Sequence, residues 1–114
     1  MLADNLFLKI INKQIPAKIA YEDDVCLAFH DINPQAPVHV LIVPKKVIPT
    51  TDDLTPADEQ IVGHLHLVAT QLARQFDLKQ GYRLVINCKA HGGQTVPHLH
   101  LHLLGGRPFA WPPG

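Results

Sequence analysis

Alternating and helical spacings of apolar residues divide the chain into a few elements. Leu6, Phe7, Ile10 and Ile11 recur at i, i+3, i+4 spacing, which predicts a short amphipathic helix. It should start near Asp4 or Asn5 and cannot run past Pro16. Ile19 to Glu22 and Val25 to Phe29 read as strands, with Asp23-Asp24 turning between them. Pro34 and Pro37 make the stretch from Asp31 to Pro37 a loop. Val38 to Val43 is the next strand, with His39, Leu41 and Val43 on one face and Val40 and Ile42 on the other. Pro44 to Asp53 reads as a loop. Thr55 then caps a helix with Pro56 at its first position, and Ile61, Leu65, Val68, Leu72 and Phe76 form its apolar stripe. That helix should end before Gly81. Tyr82 to Asn87 predicts a strand, and Cys88 to Thr95 a loop loosened by Gly92-Gly93.

The sharpest alternation lies near the C-terminus, in His98-Leu99-His100-Leu101-His102-Leu103. On a strand the three imidazoles share one face and the leucines the other. The leucine face calls for a core, so the imidazole face should look onto a cleft or solvent. Gly105-Gly106 ends the strand. The elements together predict an α+β fold: an antiparallel five-stranded sheet, one long helix and a short N-terminal helix, with residues 1–114 as one domain.

Composition narrows the function classes. Ten basic and ten acidic side chains give a formal net charge of zero, which disfavours nucleic acid and anionic membranes as partners. Cys26 and Cys88 sit in apolar contexts and read as buried, reduced thiols. The N-terminal residues lack a basic, apolar signal pattern, and no run approaches the roughly 20 apolar residues of a membrane span, so a cytoplasmic protein is expected. His64 and His66, two apart on the long helix, point about 200° apart and read as surface or rim residues. Lys45-Lys46 reads as a solvated pair. The apolar, proline-rich tail carries Trp111 and should dock on something, such as a second subunit.

Three chemistries fit the imidazole face. A zinc site is conceivable, with His91 and Cys88 nearby, but strand spacing places the first and last histidine roots about 13 Å apart. Ordinary polar residues on a half-exposed strand are a second reading, though strict alternation of three argues against it. The third is nucleophilic catalysis at phosphorus: a neutral imidazole attacks, its neighbours hold the phosphoryl oxygens, and Gly92-Gly93 lets backbone N–H groups approach the anion. Gln94 and Thr95 would then bring an amide and a hydroxyl to the rim. His100, flanked by an imidazole on each side, is the preferred nucleophile.

The run from His98 to Leu104 also fits the His-φ-His-φ-His-φ-φ signature (φ apolar), and with it the chain resembles the histidine-triad nucleotide-binding superfamily, most closely its Hint branch of purine nucleoside phosphoramidases. The likeness extends over Ile15-Pro16-Ala17-Lys18, Ala28-Phe29-His30-Asp31-Ile32, Pro34-Gln35-Ala36-Pro37, Pro44-Lys45-Lys46, Gly92-Gly93-Gln94-Thr95 and Trp111-Pro112-Pro113-Gly114. The resemblance implies a hydrolase that cleaves the P–N bond of purine nucleoside 5′-phosphoramidates, such as adenylyl-lysine or an aminoacyl adenylate. His100 would form a nucleotidyl-histidine intermediate, with His98, His102 and His39 organising the phosphate site. Asp31 would bind the ribose hydroxyls, while Leu6, Phe7, Ile10, Phe29 and Ile32 would form the purine slot. Asn87, Gly93, Gln94 and Thr95 would contact the α-phosphate and leaving group. The resemblance further implies an AMP- or GMP-type ligand, no cofactor or metal, and a homodimer in which the Trp111 tail reaches the partner's site. Hydrolysis of dinucleoside polyphosphates, or nucleotide binding with little turnover, are the alternatives. Leu8 and Ala110 stand where relatives often have glycine and histidine, which bears on the slot entrance and on the tail.

Overall fold

The computed structural model describes residues 5–114; Asp4, one of the two expected helix starts, lies outside them. Helix α1 (Leu6–Ile11) is capped by Asn5, whose side-chain oxygen accepts the Leu8 N–H at 3.0 Å. Strands β1 (Ile19–Glu22), β2 (Cys26–His30) and β3 (Val38–Pro44) precede the long helix α2 (Glu59–Gln75). Strand β4 (Tyr82–Val85), a one-turn helix α3 (Lys89–Gly92) and strand β5 (Leu101–Gly105) complete the chain. The strands form one antiparallel sheet in the order β1-β2-β3-β5-β4. The histidine strand thus sits inside the sheet, between β3 and β4.

Helix α2 starts at Glu59, three residues later than the capping signals placed it, because Thr55 and Pro56 open a separate turn ahead of it. Thr55 precedes a 3₁₀ turn, Pro56–Asp58, and the Asp58 carboxylate accepts the Thr55 N–H at 3.0 Å. The Lys46 ammonium reaches the same carboxylate, and Lys45 pairs with Glu22 at 3.0 Å. Both lysines therefore have assigned partners, where a freely solvated pair was expected.

The sheet's two faces differ in kind. On one, α2 lays Leu65, Val68, Ala69 and Leu72 against Val40, Ile42, Leu99, Leu101 and Leu103, all at most 1% exposed. Burying each leucine contributes about 1.5–3 kcal/mol. On the other, α1 brings Phe7 and Ile10 onto Leu27, Phe29, Leu41 and Val43. His39 falls in register with this second face, as the β3 alternation requires.

Three details depart from expectation. Strand β5 begins only at Leu101, so His98 lies in a bend and His100 in irregular, unpaired chain ahead of it. Pro97 has no N–H, the His98 N–H turns back to the Val96 carbonyl at 2.8 Å, and the Leu99 N–H goes to Ile48 at 2.7 Å, which blocks ladder pairing there. The inward and outward alternation continues through this irregular stretch. Strand β4 stops at Val85, two residues early. The expected loop from Cys88 to Thr95 contains α3, entered through Lys89 in the left-handed region (φ 60°) and left through Gly93 (φ 84°).

Candidate active site

Four imidazoles gather on the second face, two of them under α1. The Phe7 ring meets His98 and His100 edge-on, with centroids 6.4 and 4.8 Å away. His100 and His102 are 4.9 Å apart, and His102 and His39 5.2 Å. Of the two outlooks that the alternation allowed, a cleft or solvent, open solvent is set aside: His98 is 0% exposed, His100 5% and His39 6%, while His102 is half-buried. Helix α1 covers the His98 and His100 end.

Hydrogen bonds to groups of fixed polarity assign the ring protons. His98 Nε2 lies 2.7 Å from the Pro44 carbonyl, which only accepts, so Nε2 carries the proton. Its Nδ1 then accepts from the Asn5 side-chain amide at 2.9 Å. His100 Nδ1 donates to the His98 carbonyl at 2.7 Å, which leaves the lone pair of the neutral ring on Nε2. His102 Nδ1 lies 3.0 Å from His39 Nε2, and His102 Nε2 is buried without a hydrogen-bond partner among the described residues.

Burial keeps all four rings neutral near pH 7. It lowers the pKa of His100, opposed by its bond to the His98 carbonyl and by the Asp31 charge. It lowers His98 against the pull of the Pro44 carbonyl, and His39 against that of Asp31. His102 is brought down to about 4 by burial and by the adjacent His100 and His39.

Asp31, in the loop after β2, accepts the Asn33 N–H at 2.8 Å through Oδ1 and places Oδ2 3.6 Å from His39 Nε2. The proposed purine slot divides. Phe7, Ile10 and Phe29 pack into the buried cluster that supports the imidazoles, whereas Leu6 is 46% and Ile32 98% exposed. Asn87 is half-buried beyond β4, and Thr95 is exposed.

The Gly92–Thr95 loop corrects two expectations. The Gly93 and Gln94 N–H groups donate to Ala90 and Lys89 carbonyls at 3.1 and 3.0 Å, closing α3, so neither meets an anion unless the turn opens. The Gln94 side chain, 6% exposed, turns inward and not to the rim. It accepts the Lys89 N–H at 2.9 Å and donates to the Pro49 and Val96 carbonyls at 2.7 and 2.9 Å. Gln94 thus ties the loop to the chain ahead of α2.

Among the described residues, two clusters bring three metal-ligating side chains together: Asp31, His39 and His102, and Asp23, Cys26 and His64. In the first, His39 Nδ1 accepts the Gln35 N–H at 3.1 Å. A cation on Nε2 would move the ring proton to Nδ1 and set two donors against each other. In the second, the Asp23 carboxylate already accepts from Val25 N–H, Cys26 N–H, the Tyr21 hydroxyl and His64, and the buried Cys26 thiol is pushed up to about 12. Asp23 joins His64 of α2 to the β1–β2 turn, a contact that helical spacing alone did not indicate.

Among known proteins, the HIT domain family model matches residues 12–109. An uncharacterized HIT-like protein of Synechocystis is 58% identical over 114 residues, all of both chains. The crystal structure of a HIT family hydrolase from Legionella pneumophila superposes with a TM-score of 0.95 at 49% identity, covering 97% of this chain and 100% of that one. A histidine triad nucleotide-binding protein from Candida albicans gives 0.82 at 27% identity, covering 96% of this chain and 83% of that one. With four imidazoles gathered on one face of this sheet and a family match spanning most of the sequence, the chain belongs to the HIT domain family.

Proposed function

We propose that this protein hydrolyses the P–N bond of purine nucleoside 5′-phosphoramidates, with His100 as nucleophile. The observation that carries the reading is the His100 ring: Nδ1 donates to a backbone carbonyl, so Nε2 holds a lone pair at neutral pH. In the proposed reaction Nε2 attacks the α-phosphorus, the P–N bond breaks, and the amine leaves with a proton relayed through the Thr95 hydroxyl. Water then cleaves the phosphorus–His100 bond, releasing nucleoside monophosphate and restoring the free ring. The buried His102 Nε2–H supplies a donor for a phosphoryl oxygen, where the low dielectric strengthens it.

The hydrolase named from Legionella and the nucleotide-binding protein named from Candida support this class of chemistry. Asp31 Oδ2 faces a ribose, and the exposed Ile32 and Leu6 close on the purine, while Phe7, Ile10 and Phe29 back the rings. Asn87 and Gly93 lie toward the leaving group, and Gln94 acts by holding Thr95 in place. The same reading takes residues 1–114 as one domain that works in the cytoplasm. It also makes the protein a homodimer joined through the edge strand β4, with Trp111, 82% exposed, reaching the partner.

His100→Ala should abolish turnover of a fluorogenic adenosine phosphoramidate while keeping AMP binding. Near wild-type hydrolysis by that variant would overturn the assignment.

A further inference from the structure

We propose that the Gln35 peptide, held by Arg107, is a positioning device that sets which nitrogen of His39 and of His102 carries the proton. The Gln35 N–H donates to His39 Nδ1 at 3.1 Å. A neutral His39 therefore keeps its proton on Nε2 and donates it to His102 Nδ1, 3.0 Å away. His102 in turn holds its proton on Nε2, the buried atom without a partner. One backbone N–H thus decides that the imidazole beside His100 offers a donor, and not a lone pair, to whatever enters.

The other side of that residue is also held. Arg107 Nε donates to the Gln35 carbonyl at 3.1 Å and its Nη1 to Pro108 at 3.0 Å, while its guanidinium lies over the Phe109 ring at 4.2 Å. The Gln35 side chain donates to the Asn33 carbonyl at 3.0 Å, stiffening the loop that begins with Asp31. The root of the C-terminal tail and the loop carrying Asp31 therefore meet on one residue, four positions before His39. Movement of the loop reaches His102 through two hydrogen bonds, and movement of the tail through three. Arg107 is a positioning residue, since it touches no imidazole itself.

The tautomers follow from geometry alone; their catalytic consequence rests on the phosphoryl-transfer reading above. Long-range ¹H–¹⁵N correlations on the imidazoles of the full chain near pH 7 test the proposal directly. Both His39 and His102 should appear as Nε2–H tautomers. In Arg107→Ala their two nitrogen shifts should move toward each other, and kcat should fall about two- to tenfold with KM little changed, the scale of one exposed hydrogen bond. Arg107→Lys, which keeps a donor, should restore much of both. A wild-type His39 protonated on Nδ1, or Arg107→Ala shifts identical to wild type, would overturn the proposal. If the shifts behave as stated but no phosphoramidate is turned over, the functional reading fails and the positioning device stands.

Discussion

Replacing Gln94 by leucine removes three hydrogen bonds while nearly filling the space of the amide. The bonds to Lys89 N–H and to the Pro49 and Val96 carbonyls span 2.7–2.9 Å, at a residue 6% exposed. Each such bond contributes about 0.5–1.5 kcal/mol, and the buried backbone groups left behind have no water to turn to. A loss of about 2–4 kcal/mol follows, and for a chain of this size Tm should drop by about 8–16 °C. Gln94→Glu should cost at least as much at pH 7, because it aims a carboxylate oxygen at two carbonyls. Urea and thermal unfolding measure both variants, and turnover should fall with stability as Thr95 loses its anchor. A Gln94→Leu protein within about 0.5 kcal/mol of wild type would refute the inward staple. If only its KM changed, the side chain would be meeting substrate, as the family resemblance implied.

Acid should destabilise the protein well before carboxylates titrate. The folded pKa of His102 is lowered to about 4 and those of His39, His98 and His100 are lowered too, so between roughly pH 6.5 and 4 the unfolded chain binds more protons than the folded one. Stability should be level above pH 6.5 and decline toward pH 4, read by urea unfolding at a series of pH values; a flat profile would contradict buried neutral rings. Gly106 has φ 93°, and a Cβ there would lie 2.8 Å from Pro37 Cβ. Gly106→Ala should therefore cost more than the ~1–2 kcal/mol of the left-handed conformation alone, as a lowered urea midpoint.

What the sequence disclosed and what it hid follow from range. The leucine–histidine alternation and the parity of β3 were legible because strand geometry has a period of two; parity set His39 on one face with Leu41 and Val43, and only the family resemblance turned that face toward the other imidazoles. Thr55, Pro56 and Asp58 announced α2 through local capping chemistry. The Asn5–His98 bond joins residues 93 apart, and the Gln94–Pro49 bond residues 45 apart. No local pattern encodes either. The glycine pair suggested open N–H groups, but a short helix formed there and used them. The cover that α1 gives His98 and His100 was equally hidden, since periodicity says that Phe7 and Ile10 seek cover without saying what they cover.

The alternation has one more consequence, for the lengths that this segment of the chain tolerates. Leu99, Leu101 and Leu103 fill the α2 interface, and His98, His100 and His102 fill the opposite one, with no spacer between. A single residue inserted or deleted within the run from His98 to Leu103 would put the residues on its two sides out of step, turning imidazoles against α2 and leucines toward the opposite face on one side of the change. Core and chemistry are thus locked to one count of residues. Point substitutions can tune either property separately, whereas a change of length destroys both at once.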